Sequence, residues 1–314
     1  MTWFTPRPSW GSDRSYAAGV LIDPVSSRED PTVVTVLVVG GAGYIGSITV
    51  RALLHAGRQV VVYDDLSSGF RRAVPPGVTF IQGSTHDAPL IEKVVAETGA
   101  KVAIHFAAKK AAGESMTDPA KYFRENVAGS NTLIDALQRS GVDKIVFSSS
   151  AAVYGNAKVL PIGEDTPPAP ENPYGETKLM VEHILKWYDA CLGVRSVSLR
   201  YFNAAGASSD GELGEDFSAA ANLVPVLMKA VLGLRPPLQI FGTDYPTPDG
   251  SAIRDYIHVE DLALAHVKAV EYLEAGGETT HINLGTSRGS SVWEIVKAAE
   301  QVIGAPVPFE AADR

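Results

Sequence analysis

Short apolar, β-branched runs recur along the chain, at Val36–Val39, Val60–Tyr63, Val78–Ile81, Val102–Phe106, Lys144–Ser148 and Ser196–Leu199. Runs of four or five such residues without polar alternation predict strands covered on both faces. Between most of them the apolar spacing becomes helical. The clearest stretch sets Ile45, Ile48, Thr49, Ala52, Leu53 and Ala56 on one face and stops at Gly57, a residue suited to the left-handed end of a helix. Buried strands alternating with helices predict an α/β fold, a Rossmann-type doubly wound parallel sheet. After Leu199 the rhythm loosens, and Gly and Pro gather over 206–214 and 236–250. That change predicts a smaller mixed α/β domain facing the sheet. The expected divisions are a flexible extension over 1–32, a nucleotide-binding domain over 33–202 and a substrate domain mainly over 203–314, with a return to the first near 253–283.

Charge narrows the partners. Among 314 residues, 27 Lys and Arg stand against 36 Asp and Glu, for a formal charge of −9. An acidic surface repels nucleic acid and anionic lipid, so neither is an expected partner. An anionic small molecule needs its own local cations. The single cysteine, Cys191, allows no intrachain disulfide, and no Cys/His cluster has metal-ligand spacing. No apolar run is long enough to cross a bilayer. Residues 1–32 carry Pro6, Pro8, Pro24 and Pro31 and lack the apolar core of a secretion signal, so a cytoplasmic location is expected.

The first strand runs into Gly40-Gly41-Ala42-Gly43-Tyr44-Ile45-Gly46. A turn without Cβ atoms lets backbone N–H groups at a helix start approach a pyrophosphate. The second strand ends in Asp64, with Asp65 beside it. A carboxylate there accepts hydrogen bonds from the adenosine ribose and repels a 2′-phosphate, which favours NAD over NADP. Strand, glycines, helix and acid fall in register, and this sets aside a purely structural glycine turn.

Pro173-Tyr174-Gly175-Glu176-Thr177-Lys178 opens a predicted helix. Tyr174 and Lys178, four apart, share one face. A neighbouring ammonium is expected to lower the tyrosine pKa and suit it to general acid–base work. Ser150 follows the strand ending at Ser148, on the side where ligands bind open parallel sheets. Its hydroxyl can hold the oxygen whose proton Tyr174 takes.

These segments resemble the extended short-chain dehydrogenase/reductase family. The likeness spans about Val33 to Arg314 and is most specific at Ile104–Ala108, Lys110–Ser115, Leu199–Asn203 and Arg254–Val259. The resemblance implies that Gly40, Gly43, Tyr44, Ile45 and Gly46 hold the NAD pyrophosphate and Asp64 the adenosine ribose. It places Lys110 beside the cofactor, with Asn126 in support. Ser150, Tyr174 and Lys178 perform the proton chemistry, the latter two also touching the cofactor. Asn203, Asn222 and Arg254 contact the UDP part of a UDP-sugar, which the smaller domain binds. A homodimer is likewise implied. On residue type alone, Arg254 can instead pair with Asp255 or Asp261, and Asn203 can simply form a turn.

The activity so implied is isomerisation at carbon 4 of a UDP-sugar, interconverting UDP-glucose and UDP-galactose through a 4-keto sugar. Three alternatives stay open: a 4,6-dehydratase, an epimerase for another UDP-sugar (N-acetylhexosamine or pentose), and an inactive NAD-binding protein. The chain departs from the family at Ser84, where an acid usually meets the adenine, and at Ala108 and Ala152. Ser84 leads to an expectation of weaker cofactor binding. Relatives also continue past the position of Arg314, so truncation at the C-terminus is expected.

Overall fold

In the computed structural model, which describes residues 34–218 and 222–313, the chain opens with β1 (Thr35–Val39), α1 (Tyr44–His55) and β2 (Gln59–Asp64). Next come β3 (Thr79–Gln82), α2 (Ala88–Thr98) and β4 (Val102–His105). Two single-turn helices, α3 (Ala112–Ser115) and α4 (Pro119–Tyr122), lead through a π-helical stretch (Phe123–Ala128) into α5 (Gly129–Arg139). β5 (Lys144–Ser148) precedes a 3-10 turn (Ala151–Tyr154), α6 (Pro173–Leu192) and β6 (Arg195–Tyr201). The remainder holds β7 (Asn203–Ala205), α7 (Leu223–Val231), β8 (Leu238–Phe241), β9 (Ile253–His258), α8 (Val259–Glu274), β10 (Thr280–Leu284), β11 (Gly289–Ser291), α9 (Val292–Ile303) and β12 (Phe309–Ala312). The expected extension over 1–32 lies outside the described residues, as do Val33 and the terminal Arg314.

Seven strands pair in the order β10-β6-β5-β4-β1-β2-β3, every neighbouring pair parallel. Both faces are covered, which is why the strands are apolar throughout. Leu37, Val39, Val61 and Ile81 point to one side, against Ile91, Leu133, Leu137, Val181 and Leu185 from α2, α5 and α6. Val36, Val38, Val60, Val62 and Ile104 point to the other, against Val50 and Leu53 of α1 and Val267, Val270 and Leu273 of α8. The fold is thus the doubly wound α/β architecture expected from the pattern. The order turns back between β1 and β4, and their carboxyl ends open the crevice in which such sheets bind ligands.

Local signals set the helix that carries the tyrosine. Asn172 caps α6, its Oδ1 accepting from Gly175 N at 2.9 Å, Pro173 occupies the first turn, and Gly193 ends it with φ 72°. The later residues form small sheets. β9 joins β11 antiparallel and β7 parallel, and β12 lies parallel to β8. Leu227 of α7, Leu238 and Ile240 of β8 and Val296 of α9 form a separate core. Between these parts the chain returns to the large sheet: α8 packs on α1, and β10 becomes its outermost strand.

Candidate active site

Above the carboxyl ends of β1, β2, β4 and β5 lies a cleft of about 240 Å³. Gly40, Gly43, Tyr44, Ile45 and Gly46 line one wall. Gly46 is required by the fold, because a Cβ there would sit 2.2 Å from Gly40 O. Gly43 is different: a Cβ would meet only Gly40 O, at an ordinary 3.4 Å. Packing leaves room there, at the N-cap of α1, where no side chain caps the helix. The first-turn N–H groups have no intrahelical acceptor. A bare, uncapped helix start in a notch that a side chain would fill suits an anionic diphosphate, so the residues present fit a dinucleotide. The helix start is also anchored to the smaller domain, Tyr44 Oη donating to Gly206 O at 2.6 Å.

Asp64, 7% exposed, closes the far end of the turn. Its Oδ2 accepts from Ala42 N at 2.9 Å and its Oδ1 from Leu66 N at 2.8 Å. Burial raises its pKa, and the two N–H groups oppose the shift. The carboxylate therefore orders the glycine turn as well as facing the cleft. Ser84 lines the cleft, its carbonyl accepting from Tyr63 Oη at 2.8 Å. Asp87 does not replace the family's acid there, because it caps α2 through Leu90 N at 3.1 Å.

Lys110 lines the cleft with Nζ 2.9 Å from Glu215 Oε1. Asn126 is buried in the π-helical stretch and does not line the cleft. It grips the loop after β4 instead: Oδ1 accepts from Lys109 N at 2.8 Å, and Nδ2 donates to Lys109 O at 3.0 Å and to Thr177 Oγ1 at 3.1 Å. Asn126 thereby fixes the loop against α6, a use of π-helical geometry common at functional sites.

Tyr174, Lys178 and Ser148 line the same cleft. Lys178 is 3% exposed. Its Nζ donates to Ser148 O at 2.7 Å, lies 4.9 Å from the Phe147 ring centre and 5.9 Å from that of Tyr174. The Ser150 hydroxyl caps the 3-10 turn by accepting from Ala152 N at 3.1 Å, and it hydrogen-bonds Tyr174. The expectation that Lys178 lowers the Tyr174 pKa is corrected here. Burial raises the phenol, with the Ser150 hydrogen bond opposing. Burial also lowers Lys178 to about 7, with Glu182 opposing. Desolvation disfavours both charged forms, and the ammonium that was to help is itself partly discharged near neutrality.

The UDP-type residues fall in two places outside this cleft. Asn203 on β7 lies opposite Tyr256 of β9, and its Nδ2 donates to Asp255 O at 2.8 Å. Arg254, on β9 beside Ser290 of β11, is exposed, with Nη1 donating to Ile253 O at 2.7 Å. Among the described residues no carboxylate pairs with Arg254. Asp255 accepts from Thr286 N and Oγ1 instead, at 2.9 Å, so the guanidinium is available to an anion. Asn222 joins the cleft indirectly, donating to both Glu215 oxygens at 3.1 and 3.3 Å. Glu215 thus links Lys110 to Asn222, a tie that sequence spacing alone did not reveal.

A parallel sheet with a bare helix start at its switch point, and a Ser-Tyr-Lys set beyond the next strand ends, defines a dinucleotide-dependent enzyme of the short-chain dehydrogenase/reductase type. Residues 36–285 match the model of the NAD dependent epimerase/dehydratase family, and the chain belongs to that family. A UDP-glucose 4-epimerase from Lacticaseibacillus casei is 48% identical over 274 residues, covering 87% of this chain and 83% of the relative. Among solved structures, UDP-glucose 4-epimerase from Brucella ovis in complex with NAD superposes with a TM-score of 0.88 at 47% identity, covering 90% of this chain and 86% of that one. The Bifidobacterium longum enzyme in complex with NAD+ and UDP gives 0.83 at 41%, covering 89% and 86%.

Proposed function

We propose that the chain is an isomerase that interconverts UDP-glucose and UDP-galactose by inverting carbon 4 of the sugar, with NAD held on the glycine turn. The observation that carries this reading is the meeting of Tyr174, Lys178 and the uncapped start of α1 in one cleft. The names of the relatives, and the NAD and UDP in the two solved structures, support the same ligands here. Gly40, Gly43, Tyr44, Ile45 and Gly46 hold the pyrophosphate, Asp64 the adenosine ribose, and Lys110 lies beside the cofactor on the loop that Asn126 fixes. NAD, when bound, supplies a hydride acceptor that later returns the hydride to the same carbon.

Tyr174 Oη takes the proton of the 4-hydroxyl as the 4-keto sugar forms and gives it back after the sugar turns over. Ser150 Oγ, bonded to Tyr174, orients that exchange. Lys178, when protonated, favours the phenolate. Asn203, Asn222 and Arg254 hold the UDP part, so the intermediate stays bound while its sugar rotates. Water elimination would need an added acid and base beyond the strand serine, where this chain has Ala151 and Ala152. A homodimer is supported by Met180 and Trp187, seven apart on α6, and by Phe123, all large apolar side chains left exposed. Among the described residues no helix is long and apolar enough to cross a membrane, and the lone Cys191 suits a cytoplasmic location.

The test is to incubate purified protein with UDP-galactose, without added NAD, and to separate the products by chromatography. UDP-glucose without net NADH is the expected result. A 4-keto-6-deoxy product would replace this reading with a dehydratase, and no turnover over a panel of UDP-sugars would end it. Arg254→Met is expected to raise KM about tenfold to a hundredfold, the worth of a charged hydrogen bond, with kcat little changed because the diphosphate does not react. Steady-state kinetics would remove Arg254 from the site if KM stayed at the wild-type value.

A further inference from the structure

The start of α1 offers dipoles to a diphosphate but no full charge, and the protein as a whole is acidic. The cations on the cleft wall therefore matter. Among the described residues these are Lys109, Lys110 and Lys178. Lys178 is turned to the Ser148 carbonyl, and Lys110 is matched by Glu215 at 2.9 Å. Among the described residues Lys109 has no carboxylate within ion-pair distance, although Glu114 is near enough to feel its charge. Its Nζ donates to Ser67 Oγ at 3.0 Å.

The position of that bond is informative. Lys109 belongs to the loop after β4 and Ser67 to the loop after β2, and both line the cleft. β1, whose carboxyl end carries the glycine turn, lies between those strands in the sheet. The Lys109–Ser67 bond therefore joins the two loops flanking the turn. The root of the strap is rigid, since Asn126 holds Lys109 N and O at 2.8 and 3.0 Å. Only the flexible four-carbon stem and its ammonium are left to adjust.

We infer that Lys109 is a binding residue for the dinucleotide's diphosphate, and that with Ser67 it straps the cleft over the bound cofactor. This rests on the reading of the cleft as a NAD site. It assigns the neutralising charge to a residue that the glycine turn and the tyrosine–lysine pair leave unused, and it makes slow release of the cofactor a property of one side chain. A charged strap also compensates in part for Ser84, which offers the adenine no carboxylate.

The measurement is the rate of NAD release from the purified holoenzyme, followed on dilution into buffer containing an NAD-scavenging enzyme. Lys109→Met keeps the stem and removes the charge; it is expected to speed release about tenfold or more. Added salt should speed release from the wild type and much less from the variant. Lys93→Met, an equal change of charge on the exposed face of α2, should leave the rate unchanged. Release from Lys109→Met at the wild-type rate, or equal acceleration by Lys93→Met, overturns the inference. If the Lys109 variant does not fold, Ser67→Ala takes its place and is expected to speed release severalfold; an unchanged rate there also overturns the strap. A wild-type protein that binds no NAD overturns the reading of the cleft itself, a result distinct from either variant failing.

Discussion

Tyr174→Phe is expected to lower kcat for the interconversion by about a hundredfold to ten-thousandfold, the contribution of a well-placed general acid–base group, while NAD stays bound. The ring that packs in the cleft is retained, and only the proton-carrying oxygen is lost. The hydrogen bond to Ser150 goes with it. The pH profile gives the sharper check. Burial raises Tyr174, with the Ser150 hydrogen bond opposing, and burial separately lowers Lys178 to about 7, with Glu182 opposing. Burial, and after it the Lys178 charge, hold His105 down to about 3, so it stays neutral through this range. The base form appears only as Tyr174 loses its own proton, and burial moves that loss to higher pH, so wild-type kcat should rise as pH is raised and fall on the acid side. The residual rate of the phenylalanine variant should lose that acid limb. A variant with wild-type kcat would remove Tyr174 from the chemistry.

The largest expected effect on stability lies one layer deeper. Glu182 and Arg200 are nearly buried, with side chains 8% and 4% exposed. Arg200 Nε donates to Glu182 Oε1 at 2.9 Å and Nη2 to the other oxygen, while Nη1 donates to Tyr154 Oη at 2.8 Å. Tyr154 in turn donates to Asn283 Oδ1 at 2.8 Å, so the network ties α6, β6, the 3-10 turn and β10 together. Glu182→Gln leaves a buried guanidinium without its counter-charge and is expected to destabilise the fold by about 3–5 kcal/mol. Urea unfolding at a fixed NAD concentration measures this, because bound ligand adds its own stabilisation. Pairing Glu182→Leu with Arg200→Met is expected to be the milder change, since it removes both charges. A loss below about 1 kcal/mol for the single variant would mean that solvent reaches the pair.

The large sheet was legible because its chemistry is local. β5 occupies Lys144–Ser148 as its run of apolar residues indicated, and α1 ends just before Gly57 as its stripe did. β10 escaped notice because, as an edge strand, Thr280–Leu284 is only partly buried and lacks the apolar run. β7 and β11, three residues each, are too short to leave a pattern. At the site, the glycine turn, Asp64 and the tyrosine–lysine pair were visible as spacings. The direction of the Tyr174 shift was not, because desolvation depends on what packs around a group and not on its neighbours in sequence. The Glu182–Arg200 pair left no sequence signal, because its two members stand in different elements and meet only in the folded chain. The contact of Lys109 with Ser67 was likewise invisible in sequence, because it joins loops 42 residues apart.

The return of the chain has a consequence for modularity. The chain leaves the large sheet after β6 and again after β10, and Tyr201 and Leu284 are partners in register on neighbouring strands. Residues 203–258 are thus an excursion bounded by elements of the nucleotide-binding layer, since α8 and β10 follow them. A fragment ending at Tyr201 would strip α8 from α1 and leave β6 as a bare edge. The large sheet with its helices is therefore not an independent module with a second one appended. It is a unit completed only after the excursion has been made, and the smaller core is itself closed by β11, α9 and β12 from beyond β10, so neither part can be exchanged as one continuous piece of chain.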